Sequence, residues 1–144
     1  MLDQIFLGTF VTLASLVAAA TFWWSLTHSI EILDDWMRRP PRPLKSIIVI
    51  AMVTVWSMLI MTVGVWLWAF VFIHLNIFPS LEEAVYYSLV AYTTLGLGDV
   101  VVPVEWRLLG GMTGANGFLM FGLLTAMLTD ALRHIRRIQH DLSD

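Results

Sequence analysis

Residues 5–26, 47–77 and 108–129 contain no Asp, Glu, Lys or Arg. In hydrocarbon every backbone polar group must be satisfied inside the protein, so a chain crosses a bilayer core of about 30 Å as a helix of about 20 residues. Each stretch is long enough. The middle one is about ten residues longer than an upright crossing needs, which predicts a tilted span or one that projects past the headgroups. Composition agrees, since 58% of the 144 residues are hydrophobic and 13% are charged. A soluble domain carries roughly twice that charged fraction. The first stretch has no basic residue before it and is followed by Trp23 and Trp24, so it reads as a retained span and not a leader peptide. Cysteine is absent, which excludes thiolate metal sites. These features describe an all-α integral membrane protein with three transmembrane helices.

The basic residues orient it. Arg38, Arg39, Arg42 and Lys45 lie between the first two spans, Arg133, Arg136 and Arg137 follow the third, and only Arg107 lies elsewhere. The positive-inside rule puts both clusters in the cytoplasm. The amino terminus is then outside, the carboxyl terminus is cytoplasmic, and residues 79–106 are outside or re-entrant. Trp23 and Trp24 are expected to be interfacial anchors facing lipid. Thr9, Thr12, Ser15, Thr21 and the run Ala18-Ala19-Ala20 suit close helix contact in the first span. Residues 28–39 alternate apolar and charged side chains at helical spacing. They read equally as an interfacial amphipathic helix or as an extension of the first span, stopped by an elbow at Pro40, Pro41 and Pro43.

Behind Pro79, Ser80-Leu81-Glu82-Glu83 is a capping box, and acids in a first turn suit the positive end of a helix. The predicted helix runs over residues 81–92 and rises about 18 Å, too little to cross a bilayer. Thr93-Thr94-Leu95-Gly96-Leu97-Gly98-Asp99 follows. Gly96 and Gly98 permit φ > 0, and residues of both hands in alternation turn successive carbonyls to one side. Irregular backbone of this kind persists at membrane depth only when buried in protein or lining a watery path. A row of carbonyls on such a path, at the negative end of a helix, favours cations.

The run Thr94-Leu95-Gly96-Leu97-Gly98-Asp99 resembles the selectivity filter of the potassium-channel pore family, usually Thr-Val-Gly-Tyr-Gly-Asp. The resemblance covers residues 80–130, about a third of the chain. It implies that carbonyls of Thr94, Leu95, Gly96 and Leu97 replace a potassium ion's water, that Gly98 turns the chain out, and that Asp99 sits at the outer mouth. Four copies would close the ring as a homotetramer. Phe121-Gly122-Leu123-Leu124-Thr125-Ala126 is similar to the family's inner helix, and that register puts Gly117 on its hinge glycine. Gly110, Gly111, Gly114 and Gly117 also suit packing alone. Phe118, Phe121, Thr125 and Thr129 share one helical face and are candidates to line a cavity. Residues 1–45 then form the N-terminal span and cuff, 46–137 the pore unit and 138–144 a tail. Around the filter, Tyr86, Tyr87, Val90 and Thr93 are the expected supports. Tyr86 and Tyr87 stand where the family often has Trp, Leu97 replaces the usual Tyr or Phe, and Val90 stands where some members have a Glu that pairs with the filter Asp. Asp99 therefore needs another donor, with Tyr86, Tyr87 and Trp106 as candidates. Glu82, Glu83 and Glu105 add negative charge outside.

Passive potassium conduction across a bacterial inner membrane is the expected function. A weakly selective monovalent cation channel comes second, and a non-conducting subunit with a degenerate filter third. A haem protein would need His28 and His74, which this topology puts on opposite faces. No nucleophile–base pair or metal-spaced set is visible, so an enzyme is not expected. Neither a cofactor beyond the filter potassium nor a nucleic-acid partner is expected. No span repeats Arg as a voltage sensor does. His134, near the inner helix end, is a candidate proton sensor beside Thr129, Asp130, Arg133 and Arg137.

Overall fold

The computed structural model describes the backbone of residues 1–38 and 42–140 and the side chains of residues 1–28 and 44–133. The elbow at Pro40 and Pro41 and the side chains of Pro43, His134, Arg136 and Arg137 lie outside the described residues. Among the described residues the fold consists of α1 (Leu2–Arg38), α2 (Arg42–His74), α3 (Leu81–Tyr92) and α4 (Arg107–His140), with a 3₁₀ turn at Val104–Trp106. Segments Leu2–His28, Leu44–His74 and Val104–Arg133 are long and apolar enough to cross a membrane.

α1 continues unbroken to Arg38. Its later turns contain no Gly or Pro, so nothing interrupts hydrogen bonding where the composition turns amphipathic. Of the two readings of residues 28–39, the extension of the first span is the observed one. α2 ends three residues before the apolar run does. Asn76 takes φ 52°, Asn76 N–H donates to Ile73 (3.0 Å) and Ile77 N–H to Phe72 (3.0 Å). Those two bonds are a Schellman closure, with Asn in the left-handed position that usually takes Gly.

The helices are held by a few directional contacts within an apolar core. α1 runs parallel to α4: Gln4 Nε2 donates to the Glu105 carbonyl (2.5 Å), Ser15 Oγ to Asn116 Oδ1 (2.9 Å), and Leu26 shares a cluster with Ala131. α2 runs antiparallel to both, with Trp56 Nε1 donating to the Phe22 carbonyl (2.9 Å). Trp68, Phe72, Tyr92, Leu109 and Met120 are fully buried between them. Trp23 and Trp24 of α1 divide, contrary to the expectation of a matched pair of anchors. Trp24 is 73% exposed, while Trp23 is partly buried and packs on the core. Adjacent residues lie about 100° apart on a helix, so only one of them can face outward.

Ser80 caps α3 as expected, its Oγ accepting from Glu83 N–H (3.2 Å). Rings of Phe72, Phe78 and Tyr87 then pin this helix to the end of α2, with centroids 5.1–5.7 Å apart. On its other side α3 meets α4 through small residues. A Cβ at Gly110 would strike the Tyr87 hydroxyl, and one at Gly114 would touch the Ala91 carbonyl at 3.4 Å. A Cβ at Gly117 would overlap the backbone carbonyl of Tyr92. A backbone carbonyl cannot swing aside as a side chain can. Gly117→Ala is therefore expected to cost about 3 kcal/mol or more, whereas Gly122, which has open space around it, should tolerate Ala with a gain of up to about 1 kcal/mol. Thermal melting of the detergent-solubilised variants checks both.

Candidate functional site

The last turn of α3 fixes the start of the irregular segment. Thr94 N–H donates to Ala91 (2.9 Å) and Leu95 N–H to Val90 (3.0 Å), the same two-bond closure that ends α2. Gly96 N–H also reaches the Val90 carbonyl (3.3 Å), and Thr93 Oγ1 donates to Leu89 (2.7 Å). The left-handed position of this closure is occupied by Thr94, at φ 59°. A β-branched residue is rarely found there, and such strain persists only where the surroundings enforce it. Gly96 (φ 60°) and Gly98 (φ 79°) follow, as the spacing predicts. Left-handed residues therefore alternate at 94, 96 and 98. The sequence signalled only the two glycines, because nothing in a Thr announces a positive φ.

The bonding of this segment is lopsided. Its first amides are taken by the carbonyls that end α3, but among the described residues no hydrogen bond reaches the carbonyls of residues 94–98. Thr94, Leu95, Gly96, Leu97, Gly98 and Asp99 are all exposed in the single subunit, Leu95 at 63% and Leu97 at 58%. Five successive acceptors without donors lie just beyond the negative pole of α3.

Asp99 closes the segment. Tyr86 Oη donates to its Oδ2 at 2.6 Å, so Tyr86 is the donor among the three candidates. The hydrogen bond from Tyr86, joined by the backbone N–H groups of Asp99 and Val100, holds the Asp99 carboxyl below its ordinary value, while the same bond pushes the Tyr86 phenol up. Val90, one turn further along α3, is buried and takes no part in holding Asp99. Tyr87 points the other way, into the ring cluster with Phe72 and Phe78, and Trp106 packs against the core. The adjacent tyrosines thus do separate work, one at Asp99 and one behind the helix. Glu82, Glu83 and Glu105 are exposed.

Below the segment, Phe118, Phe121, Thr125 and Thr129 form an exposed face of α4, with Phe118 at 70%. The Thr125 and Thr129 hydroxyls donate to the carbonyls four residues back (2.8 Å each), leaving their lone pairs outward. Gly117, at the edge of this face, is buried against Tyr92.

Residues 46–134 match the family model described as ion channel, and this is more than half of the chain. The chain belongs to that family. It is the two-membrane-helix, potassium-channel-like family, and the match takes in nearly all of α2, then α3, the irregular segment and most of α4. The protein is an integral membrane ion channel. No curated protein and no solved structure matches it. α1 lies outside the matched residues, so this channel carries a helix that the family model does not describe.

The Tyr86–Asp99 bond gives the channel a defined pH response. A depressed carboxyl stabilises the folded state above its unfolded value of about 3.9, and that stabilisation is lost as pH falls through the lowered value. The raised phenol acts in the opposite sense: its stabilisation is present below the ordinary tyrosine value of about 10 and is lost as pH rises through the raised value, since the bond needs the proton on Tyr86. Tyr86→Phe is expected to return the Asp99 midpoint upward toward about 3.9. Carboxyl-carbon NMR titration of the labelled channel reads this directly. A midpoint equal in both proteins would rule out the assigned donor.

Proposed function

We propose that the protein is a homotetrameric potassium channel of a bacterial inner membrane, with its amino terminus outside and its carboxyl terminus cytoplasmic. Residues 80–99 would enter the membrane from outside and turn back. Thr94, Leu95, Gly96 and Leu97 present carbonyls to the ion, Gly98 turns the strand outward and Asp99 stands at the outer mouth. One observation carries the reading: five consecutive carbonyls without donors follow a helix too short to cross a membrane, with positive φ at every second residue. Unpaired carbonyls are costly in a low-dielectric setting. A desolvated cation is the partner that offsets that cost, and carbonyl oxygens in rings replace its water. One chain supplies one such strand, so a closed ring needs copies around an axis. Exposure of Leu95 and Leu97 in the single subunit supports this, since apolar side chains beside a water path call for cover. Phe118, Phe121, Thr125 and Thr129 would face the cavity below, and Gly117 would let the inner helix bend where it rests on α3. Monovalent cations and the lipid bilayer are then its partners.

A weakly selective cation channel is the second reading, favoured by Leu97. The family's aromatic at this place can hydrogen bond and stack, whereas Leu97 can only pack, so the spacing of the rings rests on apolar contact. Reversal potential separates the two. With potassium on one side of a planar bilayer and sodium on the other, the purified protein is expected to reverse close to the potassium limit. Clear current reversing near zero would establish the second reading, and Leu97→Tyr should then move the reversal toward potassium. A tetramer that passes no current in any gradient would mean a non-conducting subunit.

A further inference from the structure

α1 reaches the matched unit beside the proposed filter. On α4, Thr113, Asn116, Gly117 and Met120 are buried in successive turns. Asn116 receives the hydrogen bond from Ser15 of α1, and its neighbour Gly117 lies against the carbonyl of Tyr92, the last residue of α3. Thr94 is two residues further on. The Tyr92 side chain is itself fully buried and crosses Gly64 of α2, where a Cβ would strike its hydroxyl. The end of α3 is thus gripped by three helices, directly by α2 and α4 and through Asn116 by α1.

The polar groups at this junction are incompletely paired. Ser15 Oγ lies 2.9 Å from Asn116 Oδ1 and 2.8 Å from the Thr12 carbonyl, so one hydroxyl proton has two competing acceptors. Among the described residues Asn116 Nδ2 is a buried donor with no hydrogen-bond partner, and the buried Tyr92 hydroxyl lies close enough to Ser15 to interact with it. Thr12, Thr21 and Thr27 spend their hydroxyls on their own helix, whereas Ser15 reaches across. If α1 were there only to pack, Ala at residue 15 would serve and would bury no polar group. A junction with spare donors and a shared proton changes partners with little motion of the helices around it.

We propose that α1 is a positioning element for the filter, in which Ser15, acting through Asn116 and Tyr92, sets where α3 ends and so where the row of carbonyls begins. This rests on the reading of residues 94–98 as a filter. Ser15 touches no ion, and its effect is relayed through the α4 backbone at residues 116–117.

The test is single-channel recording of the full-length protein in planar bilayers, with potassium and sodium on opposite sides. Wild type, Ser15→Ala, Ser15→Thr, Asn116→Ala and the Ser15→Ala/Asn116→Ala double variant are compared. Ser15→Ala is expected to shift the potassium-over-sodium permeability ratio or the unitary conductance about fivefold, the factor that one ordinary hydrogen bond is worth. Ser15→Thr should restore it, and the double variant should do no more than either single one. Loss of packing alone would lower the melting temperature of the assembly and leave both conduction readouts in place. If Ser15→Ala does not assemble, Tyr92→Phe, which deletes only the hydroxyl beside Ser15, is read in the same way and is expected to shift one of the two readouts. A conducting wild type whose reversal potential and conductance are untouched by these variants overturns this proposal and leaves the filter reading standing. An assembled wild type that passes no cation overturns the filter reading, and this proposal with it.

Discussion

The backbone of α4 passes so close to the Tyr92 carbonyl that residue 117 has no room for a Cβ, and the position of everything after Tyr92 depends on that approach. α3 is only twelve residues long, and its last residue is held by this approach and by Gly64 of α2. Ser80 and the Phe72–Phe78–Tyr87 ring cluster fix its first half, Gly110 and Gly114 let α4 lie along it, and Gly117 stops it. Close packing of this kind is what holds helices together in lipid, where apolar burial gives helices no advantage over the acyl chains.

From that stop, hydrogen bonding alone explains the chemistry of the next residues. α2 and α3 both end in the same two-bond closure, with Asn76 and Thr94 in the left-handed position. After α2 the chain goes on through a buried stretch, Ile77 and Phe78, into the cap of α3. After α3 it goes on with its first amides already used and its carbonyls unmatched among the described residues. An excess of acceptors over donors at the negative pole of a helix attracts positive charge and repels negative charge. In the proposed filter the sign of the ion would thus be set by the backbone, before any side chain is considered. Asp99, held ionised by the Tyr86 hydroxyl, extends the same sign to the far end of the segment.

What the amino-acid sequence revealed was whatever depends on local composition. Three charge-free stretches, the Ser80 cap, and the φ of Gly96 and Gly98 follow from rules that act within one helix or one turn. Other features depend on partners far along the chain. Asn116 reads as one polar residue in an apolar helix, and only the fold shows Ser15 opposite it. Tyr86 and Tyr87 are indistinguishable in a string, yet a rotation of about 100° sends one to Asp99 and the other into the core. Trp23 and Trp24 divide for the same reason. Thr94 is the sharpest case, because its left-handed backbone opposes its own β-branched preference and is imposed by the closure around it.

The two Leu residues of the proposed filter follow from the same division between directional and non-directional contacts. At its lower end the segment is tied by amide bonds to the Val90 and Ala91 carbonyls and by the Gly117 approach. At its upper end it is tied by the 2.6 Å bond from Tyr86 to Asp99. Between those anchors Leu95 and Leu97 offer no donor, and their side chains await apolar cover. Apolar contact resists separation but does not prescribe a distance as a hydrogen bond does. The spacing of the middle carbonyls must therefore be inherited from the two ends. A shift of α3 by a few tenths of an ångström would pass directly into the rings, with no side-chain bond between to absorb it. In the proposed filter ion selectivity would be decided by the helices that hold Tyr92 and Tyr86, with α1, through Asn116, proposed as one of the former.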